Sequence, residues 1–553
     1  VERCVEMIAA TRGERIDLSR IPFDDAPTYE AIQNADTTGV FQIESRAQMQ
    51  SLRRTRPESL DDLTIQVAIV RPGPIQGGAV NPYIKRRQQM REDNNCAIPY
   101  EHPSLEPALA DTLGTIIFQD QVIEVAMAFA GFSPGKAEGL RRAMSRKRSQ
   151  AAMEAYHRDF VGGAQARHGV STATAERVWD MVKGFSGFGF PKAHGAAFGL
   201  LAYQSTWLRV HHAPEFLCAL LNEQPMGFYP PDALVHDAQR RGIGVLPPDV
   251  NASNAECVVR AGEPSVRIGL GYVNGVKADE VQALVEARAG SGPFRDAADL
   301  VSRAGAGRPS LERLAWSGAC DAIAGGRRAA LWQLGVAAWR PERGRRVRGG
   351  VQLALPLQTP AAPELPALSA WDAMIADYST TGVALANHPI GLLRAQLPAG
   401  TASSRDLDSI PHGERVRVAG LVVARQRPGT ANGIVFMLLE DEHGTINLIV
   451  PPKTYERHRL RVRTEPLLLA DGRLERHVAA GGAINVLVDR LEVLAAPDRP
   501  VAEVKEFSRL DERERRRIAA EQAAAGEDDP DADAADFRAV APPALSFGSG
   551  RRR

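Results

Sequence analysis

FSGFGFPKAHGAAFGLLAYQSTWLRVHH fills positions 185–212 of the 553-residue chain and joins two different patterns. Its first half is a glycine-rich turn carrying Lys192 and His194. From Gly199 to His211 apolar residues return every three or four positions, the period of a helix with one buried face. Gly187, Gly189 and Gly195 allow a close backbone approach. Lys192 is a point charge suited to a phosphate, and His194 can donate a proton near neutral pH. Two readings fit, a phosphate cradle and a bend packed between helices, and the spacing is not that of a P-loop.

The same helical period extends through most of residues 1–250. It covers the opening VERCVEMIAATRG, Val122 to Phe129 after a strand-like GTIIFQDQ, and Ala173 to Lys183. RPGP (71–74), FSPG (132–135) and GFGFP (187–191) punctuate it. Residues 265–335 read as short helices between glycine turns. Residues 336–370, rich in Arg, Gly, Pro and Ala, have no period and read as a linker within a connecting segment, 336–413. Over 414–495 the pattern changes to five strand-like runs: RVRVAGLVVARQR, GIVFMLLEDE, GTINLIVP, EPLLLADGRLER and AINVLVDRLEVL. Five such runs with a tight turn at Asp441–Gly444 predict an OB-type barrel. Residues 496–553 read as one Glu/Arg-rich helix and then an Ala/Asp/Pro-rich tail too poor in apolar residues to fold. The expected class is multidomain α+β.

With 44% hydrophobic and 24% charged residues, the chain has apolar material for several cores. Its net charge of +0 points to no acidic partner as a whole, but basic residues cluster locally. Five cysteines (Cys4, Cys96, Cys218, Cys257, Cys320) lie far apart without zinc-site spacing. Reduced, mostly buried thiols are expected, as in a cytoplasmic protein. No run approaches the ~20 apolar residues of a membrane span, and no signal peptide is visible. The chain opens at Val1 inside a helical pattern, which suggests the C-terminal portion of something longer.

Four further stretches carry candidate chemistry. In AIVRPGPIQGGAVNPYIKRRQ (68–88), Arg71 precedes a rigid Pro-Gly-Pro that sets its direction. GLRRAMSRKRSQ (139–150) concentrates Arg141, Arg142, Arg146, Lys147 and Arg148, enough to meet a nucleic acid or a triphosphate, or to form a solvated face. RIGLGYVNGVKADEVQALVEAR (267–288) places Asn274, Gly275 and Lys277 before a helix whose first amides can hold a DNA phosphate, with a companion pattern at 308–328. QLALPL, with Gln352, Leu353, Leu355 and Leu357, can enter an apolar pocket as an extended peptide.

Taken together, ADTTGVFQIESRAQMQSLRRTRPESLDDL (35–63), VRPGPIQGG (70–78), GTIIFQDQVIEVA (114–126), LRRAMSRKR (140–148), GFGFPKAHGAAFGLLAYQSTWL (187–208) and SGACD (317–321) resemble the C-family replicative polymerases. These are the bacterial DNA polymerase III α chains, and the resemblance is collinear over about residues 1–495. RVRVAGLVVARQRPGTANGIVFMLLEDEHGTIN (415–447) is similar to the error-prone DnaE (ImuC-like) branch used in damage-induced mutagenesis and translesion synthesis. The resemblance implies helical fingers over 1–250, a helix-hairpin-helix part of a clamp-binding domain over 251–335, and the OB domain over 414–495. It makes Lys192 and His194 triphosphate contacts, with Arg71, Arg141, Arg142, Arg146 and Lys147 as further candidates. Tyr203 and Phe198 would lie near the base or in the core.

It also implies a sliding-clamp peptide at Gln352, Leu353, Leu355 and Leu357, although Pro356-Leu357 stands where Leu-Phe is commoner. For the OB domain it implies single-stranded template contacts by Arg415, Arg417, Arg425, Arg427 and Phe436, the last in an apolar strand that also suits it to the core, or protein contacts in the error-prone branch. The family transfers nucleotides on two Mg²⁺ ions held by palm carboxylates N-terminal to the fingers. No PDxDxDF-like motif occurs in this sequence, so the chain is expected to bind no metal and to be inactive alone. The implied partners are primer–template DNA, a dNTP, a sliding clamp and an ImuB-like mutasome protein, with no membrane. The alternative is a noncatalytic adaptor joining DNA and clamp.

Overall fold

The structure is a computed structural model that describes residues 1–71, 74–75, 78–93, 96–145, 150–184, 190–227, 229–260, 262–337, 363–427, 431–477, 483–495, 537–542 and 544–548. Two compact units emerge: Val1–Phe216 with His477–Ala483, and Leu217–Arg476 with Ile484–Arg553.

The described part of the first unit is helical. Asp25, Ser45 and Ser59 each accept a hydrogen bond from the amide three residues on, which starts the helices Ala26–Gln33, Arg46–Thr55 and Leu60–Ile69. From Leu63 to Ile69 every residue is buried, because the long helix Lys192–His211 crosses this segment on one side. A Cβ on Gly195 would stand 3.2 Å from Thr64 O, and one on Gly199 would stand 3.1 Å from Thr64 N. Gly195 was expected to admit a ligand. Instead it lets two helices approach so closely that a side chain there would push them apart by a few tenths of an ångström. A second core joins the helices Gln119–Ala130, Pro134–Ser145, Gln150–His168 and Thr172–Gly184 around Phe129, Phe160 and Trp179. The strand expected at GTIIFQDQ does not form. The amides of Ile117 and Phe118 both donate to Gln121 Oε1, at 2.9 and 3.0 Å, so one side-chain amide stands where a neighbouring strand would.

The second unit begins within helix Ala213–Asn222 and continues with helix Pro231–Arg240 and a small sheet in the order β1-β3-β2, where β1 is Gly244–Leu246, β2 Val258–Val259 and β3 Ser265–Arg267. The expected fingers boundary at residue 250 falls between β1 and β3, which pair in parallel, so residues 217–250 belong to the second unit. Helices Ala278–Ser291, Ala297–Arg303, Arg308–Trp316 and Arg327–Ala337 then close a core on Phe294, Leu300 and Leu314.

The barrel comes next. Its strands are β5 (Arg415–Arg427), β6 (Val435–Glu440), β7 (Thr445–Val450), β8 (Leu467–His477) and β9 (Ala483–Val493), with the short β4 (Thr401–Ala402) added to β5. They run in the order β5-β6-β7-β9-β8, and β8 returns to pair with β5. This is the closed OB order. On β5, Val416, Val418 and Val422 fill the barrel, while Ala419 and Leu421 pack outside against helix Ala370–Thr381. Both faces are therefore buried, which explains why the strand reads as an unbroken apolar run. Inside, Gly420 and Gly472 leave no room for side chains: added Cβ atoms would meet Leu439 Cβ at 2.5 Å and Leu487 O at 2.3 Å. The tight turn expected at Asp441 is present, with the Gly444 amide donating to Asp441 Oδ1 at 2.9 Å. The tail differs from expectation: Phe537–Val540 is a helical turn and β10 (Leu545–Gly548) pairs with β5. Its apolar residues find partners that composition alone does not reveal.

A buried ionic cluster ties helix Pro231–Arg240 to the end of β6. His236 Nδ1 lies 3.2 Å from Glu440 Oε2, Arg240 Nη1 donates to Glu440 Oε1 at 2.7 Å, and Tyr378 Oη donates to Asp232 Oδ2 at 2.9 Å. Burial works against charge on His236, yet Asp232 and Glu440 carry its pKa up to about 9. Burial likewise opposes ionisation of Glu440, and His236 with Arg240 overcomes it, holding the carboxyl at about 2. Two charges of each sign balance without outside help.

Gly199→Val should lower stability by about 1–3 kcal/mol through overpacking against Thr64. Gly162→Ala, at an exposed helical site with open space, should raise it by about 0.5–1 kcal/mol, both read from chemical denaturation. His236 has a raised pKa, so its contribution is complete below pH 6.5 and is lost as pH rises through about 9. Glu440 has a lowered pKa, so its contribution is lost as pH falls from 4.5 towards about 2. The urea midpoint of the barrel transition should therefore fall between pH 6.5 and 9.5, and His236→Gln should flatten that slope. The same variant should cost about 3–5 kcal/mol at pH 6.5, because two carboxylates are left underpaired.

Candidate nucleotide and nucleic-acid site

Arg209, near the C-terminal end of helix Lys192–His211, is 2% exposed. Its guanidinium donates to Asp36 O and Asp36 Oδ1, both at 2.6 Å, and to Thr38 O at 3.1 Å. These bonds pin the loop that follows helix Ala26–Gln33, in which Ala35 and Gln42 both take left-handed backbone angles, φ 58° and 66°. For residues with a Cβ such angles are costly, and they persist where the surroundings impose them. The loop presents Phe41, 45% exposed, and aims Gln42 at Arg71.

Arg71 Nη2 donates to Gln42 Oε1 at 3.2 Å, and its guanidinium lies 4.3 Å from the centre of the Phe190 ring. Burial draws its pKa down, and among the described residues no carboxylate offsets the lost water. Phe190 meets His194 edge-on at 5.0 Å, His194 meets Phe198 edge-on at 4.1 Å, and Phe198 meets Phe41 at 5.3 Å. A continuous ridge of rings thus runs from a cation to an exposed aromatic. Lys192 stands at the start of the same helix. Its Nζ is 2.6 Å from Asp111 Oδ2, which raises its pKa, and its amide donates to Asp120 Oδ2 at 2.8 Å. The Lys192–Asp111 side chains are 49% and 69% exposed, so that pair is worth about 0–1 kcal/mol and yields readily to a stronger anion.

Arg141 reaches this neighbourhood weakly, through Gln119 Oε1 at 3.4 Å, while Glu138 takes it at 2.7 and 2.8 Å. Arg142 also bonds Glu138, at 2.8 Å. The structure therefore brings Arg71, Lys192 and His194 together with Arg141 at the margin. Arg146, Lys147, Gly187, Gly189 and the peptide Gln352, Leu353, Leu355 and Leu357 lie outside the described residues. Phe41, Gln42, Asp111 and Asp120 were missed. An aromatic beside a polar residue in a loop was the available signal, but backbone strain leaves none. Tyr203 is core, its hydroxyl donating to Pro22 O at 2.6 Å.

In the helix-hairpin-helix region, Asn274, Gly275 and Lys277 are exposed at the start of helix Ala278–Ser291, and Gly275 has φ 84°. Asn274's own amide is spent on Thr380 O at 2.6 Å. The companion at 308–328 is closed to a phosphate: Glu280 accepts from the Gly307 amide at 3.3 Å and from Ser310 Oγ, so a protein carboxylate occupies that terminus.

On the barrel, Arg425 corrects the reading of a DNA contact. It donates to Val462 O at 2.7 Å and to Glu465 O at 2.6 Å, and burial lowers its pKa. It holds the segment between β7 and β8 against the wall. Arg417 pairs with Asp471, directly opposite on β8, at 2.7 Å. Arg415 is the most exposed of the three, 3.3 Å from Asp489, and Arg427 lies over the Tyr455 ring. Among the described residues, His236, His388 and Glu440 bring potential metal-ligating atoms within 4.8 Å of one another. His388 Nδ1 accepts from the Ile390 amide at 3.2 Å, and its Nε2 is buried without a hydrogen-bond partner among the described residues.

Family models match three parts of the chain: the bacterial DNA polymerase III alpha subunit finger domain over residues 1–168, a helix-hairpin-helix motif over 242–330, and an OB-fold nucleic acid binding domain over 416–494. Among curated relatives, an error-prone DNA polymerase of Burkholderia pseudomallei is 45% identical over 487 residues, covering 85% of this chain and 44% of the relative. Those of Anaeromyxobacter sp. (strain K) and Mycolicibacterium paratuberculosis are 44% and 41% identical, covering 89% and 88% of this chain and 43% of each relative. The chain thus spans less than half the length of these relatives. Among solved structures, asparaginyl-tRNA synthetase from Pyrococcus horikoshii with asparaginyl-adenylate aligns over 18% of this chain and 23% of its own, at 21% identity and a TM-score of 0.16, too slight to carry an argument. Among the described residues no helix is long and apolar enough to cross a membrane. With its finger, helix-hairpin-helix and OB-fold parts in collinear order, the chain belongs to the bacterial DNA polymerase III alpha family and corresponds to a portion of its error-prone members.

Proposed function

We propose that this chain is the nucleotide- and template-holding portion of a cytoplasmic error-prone DNA-directed DNA polymerase that serves damage-induced mutagenesis and translesion synthesis. The observation that carries the reading is Arg71, suspended between Gln42 and Phe190 beside the exposed Lys192 and His194. A half-buried cation with no carboxylate partner among the described residues, next to an exchangeable Lys–Asp pair, suits a triphosphate that replaces Asp111. Gln42 and Phe190 orient the Arg71 guanidinium, so little side-chain freedom is lost when an anion arrives. Lys192 adds a mobile charge, and His194, edge-on between two rings, is steadied for a hydrogen bond or a proton.

Magnesium ions held by palm carboxylates elsewhere in the polymerase would supply the transfer chemistry, and this chain binds and orients. Primer–template DNA meets the helix start at Asn274, Gly275 and Lys277 and the outer barrel near Arg415. A sliding clamp taken by Gln352, Leu353, Leu355 and Leu357, and an ImuB-like mutasome protein, complete the proposed partners.

Single-nucleotide extension of a labelled primer–template tests the reading, using this chain alone and mixed with a separately expressed palm portion. Extension is expected in the mixture only. In that mixture Arg71→Ala should reduce incorporation efficiency by about 10–100-fold, and Lys192→Ala should act mainly on the apparent KM for dNTP. Extension by this chain alone, or an Arg71→Ala mixture as active as the parent, would sink the assignment. DNA binding by the chain should weaken steeply with salt, and Lys277→Ala should reduce the slope of log K against log salt by about one.

A further inference from the structure

β5 is thirteen residues long, and its two edges are used unequally. On one side β6 pairs from Leu421 to Gln426. On the other, β8 pairs from Arg415 to Leu421 and then departs, while the ladder to β6 shifts register between Val422 and Ala424. Beyond that point the side of Ala424–Arg427 away from β6 is an edge without a barrel neighbour. Unpaired edges recruit other strands. Here β10 lies along it in parallel, with Leu545 opposite Ala424 and Gly548 opposite Arg427.

β10 comes with an anchor. Eight residues ahead of Leu545, Phe537 is 3% exposed, with its ring 5.7 Å from those of Trp371 and Tyr378. Arg538 Nε lies 3.1 Å from Glu465 Oε2. The carbonyl of that same Glu465 receives Arg425 Nη2, from the strand that β10 joins. Anchor and edge are therefore linked through one residue. Residues 496–536, between β9 and the anchor, hold sequence rich in Ala, Glu, Asp and Arg.

We propose that Phe537–Gly548 is a self-supplied ligand in a peptide-recognition site. An aromatic box, formed by Trp371 and Tyr378, reads the anchor, and the free half of β5 reads a four-residue strand eight positions later. The occupant is this chain's own C-terminal segment. Strand addition gives such a site affinity through the main chain, and the aromatic pocket gives it selectivity. The barrel's five-strand closure does not include β10, so the segment leaves and returns without unfolding the barrel. Such a site operates whether or not the chain serves a polymerase.

Hydrogen exchange of the full chain and of its Phe537→Ala variant, followed by mass spectrometry, tests it. In the variant, those amides of Ala424–Arg427 that face β10 rather than β6 should exchange at least about tenfold faster, while those of Arg415–Leu421 stay protected. Excess synthetic peptide FRAVAPPALSFG should restore slow exchange at Ala424–Arg427, and the peptide with alanine in place of its first phenylalanine should not. Unchanged exchange at Ala424–Arg427 would show that the segment does not guard the edge. Loss of protection along all of β5 would make Phe537 an ordinary core residue. Failure of the peptide to restore protection would remove the recognition site.

Discussion

A guanidinium sealed from water must satisfy its donors within the protein, and in the first unit Arg209 does so on a loop rather than on a carboxylate of the core. By taking two carbonyls and one carboxylate oxygen from Asp36 and Thr38, it makes that loop part of the long helix. The left-handed Gln42, the exposed Phe41 and the hold on Arg71 all lie downstream of this attachment. The helix itself is fixed by the close crossing at Gly195 and Gly199. One buried cation and two missing side chains therefore define where the ring-and-cation ridge sits. Each half is weak alone, since a strained loop wanders without its anchor and a helix without its close crossing has no fixed height.

The second unit solves the opposite problem, with charges kept inside in balanced numbers. His236 and Arg240 face Asp232 and Glu440, the Ala384 amide and the Tyr378 hydroxyl donate to Asp232, and the Ala384 carbonyl lies 3.2 Å from His236 Nε2. Such a cluster contributes less net stability than apolar packing of the same volume would, but it penalises any misplacement of helix against barrel. Many other cations in the chain are engaged in similar ways. Arg288 caps the carbonyls of Val250 and Ser253, Arg303 takes those of Ala287 and Gly292, and Arg425 takes those of Val462 and Glu465.

That engagement explains what could be read from the sequence and what could not. The barrel strands were legible because β5 to β9 each carry a β-rich run bounded by turn residues, and the long helices because their apolar residues recur at three and four. β1 to β3 were not legible, since strands of two or three residues carry no period. Nor was the false strand at 114–121, where a glutamine side chain satisfies amides that an apolar run would ordinarily give to a neighbour. At the site, Arg71, Lys192 and His194 were recognisable as charges beside rigid turns. Arg425 looked equally eligible, because the carbonyls that claim it come from a helical hairpin 37 and 40 residues away in sequence.

Gly420 lets β5 lie close against Leu439 of β6, and Gly472 lets β8 lie close against the β9 backbone at Leu487, while Val418, Met437, Leu448 and Leu468 fill the space inside, so the OB barrel is solid. A solid barrel is a mandrel rather than a vessel. Its loops and helical caps can be rewound, lengthened or exchanged while the five strands keep their spacing, because that spacing is set by side chains packed inside the barrel. Whatever such a domain grips, it grips on its rim, and a new specificity can be added there without reopening the interior.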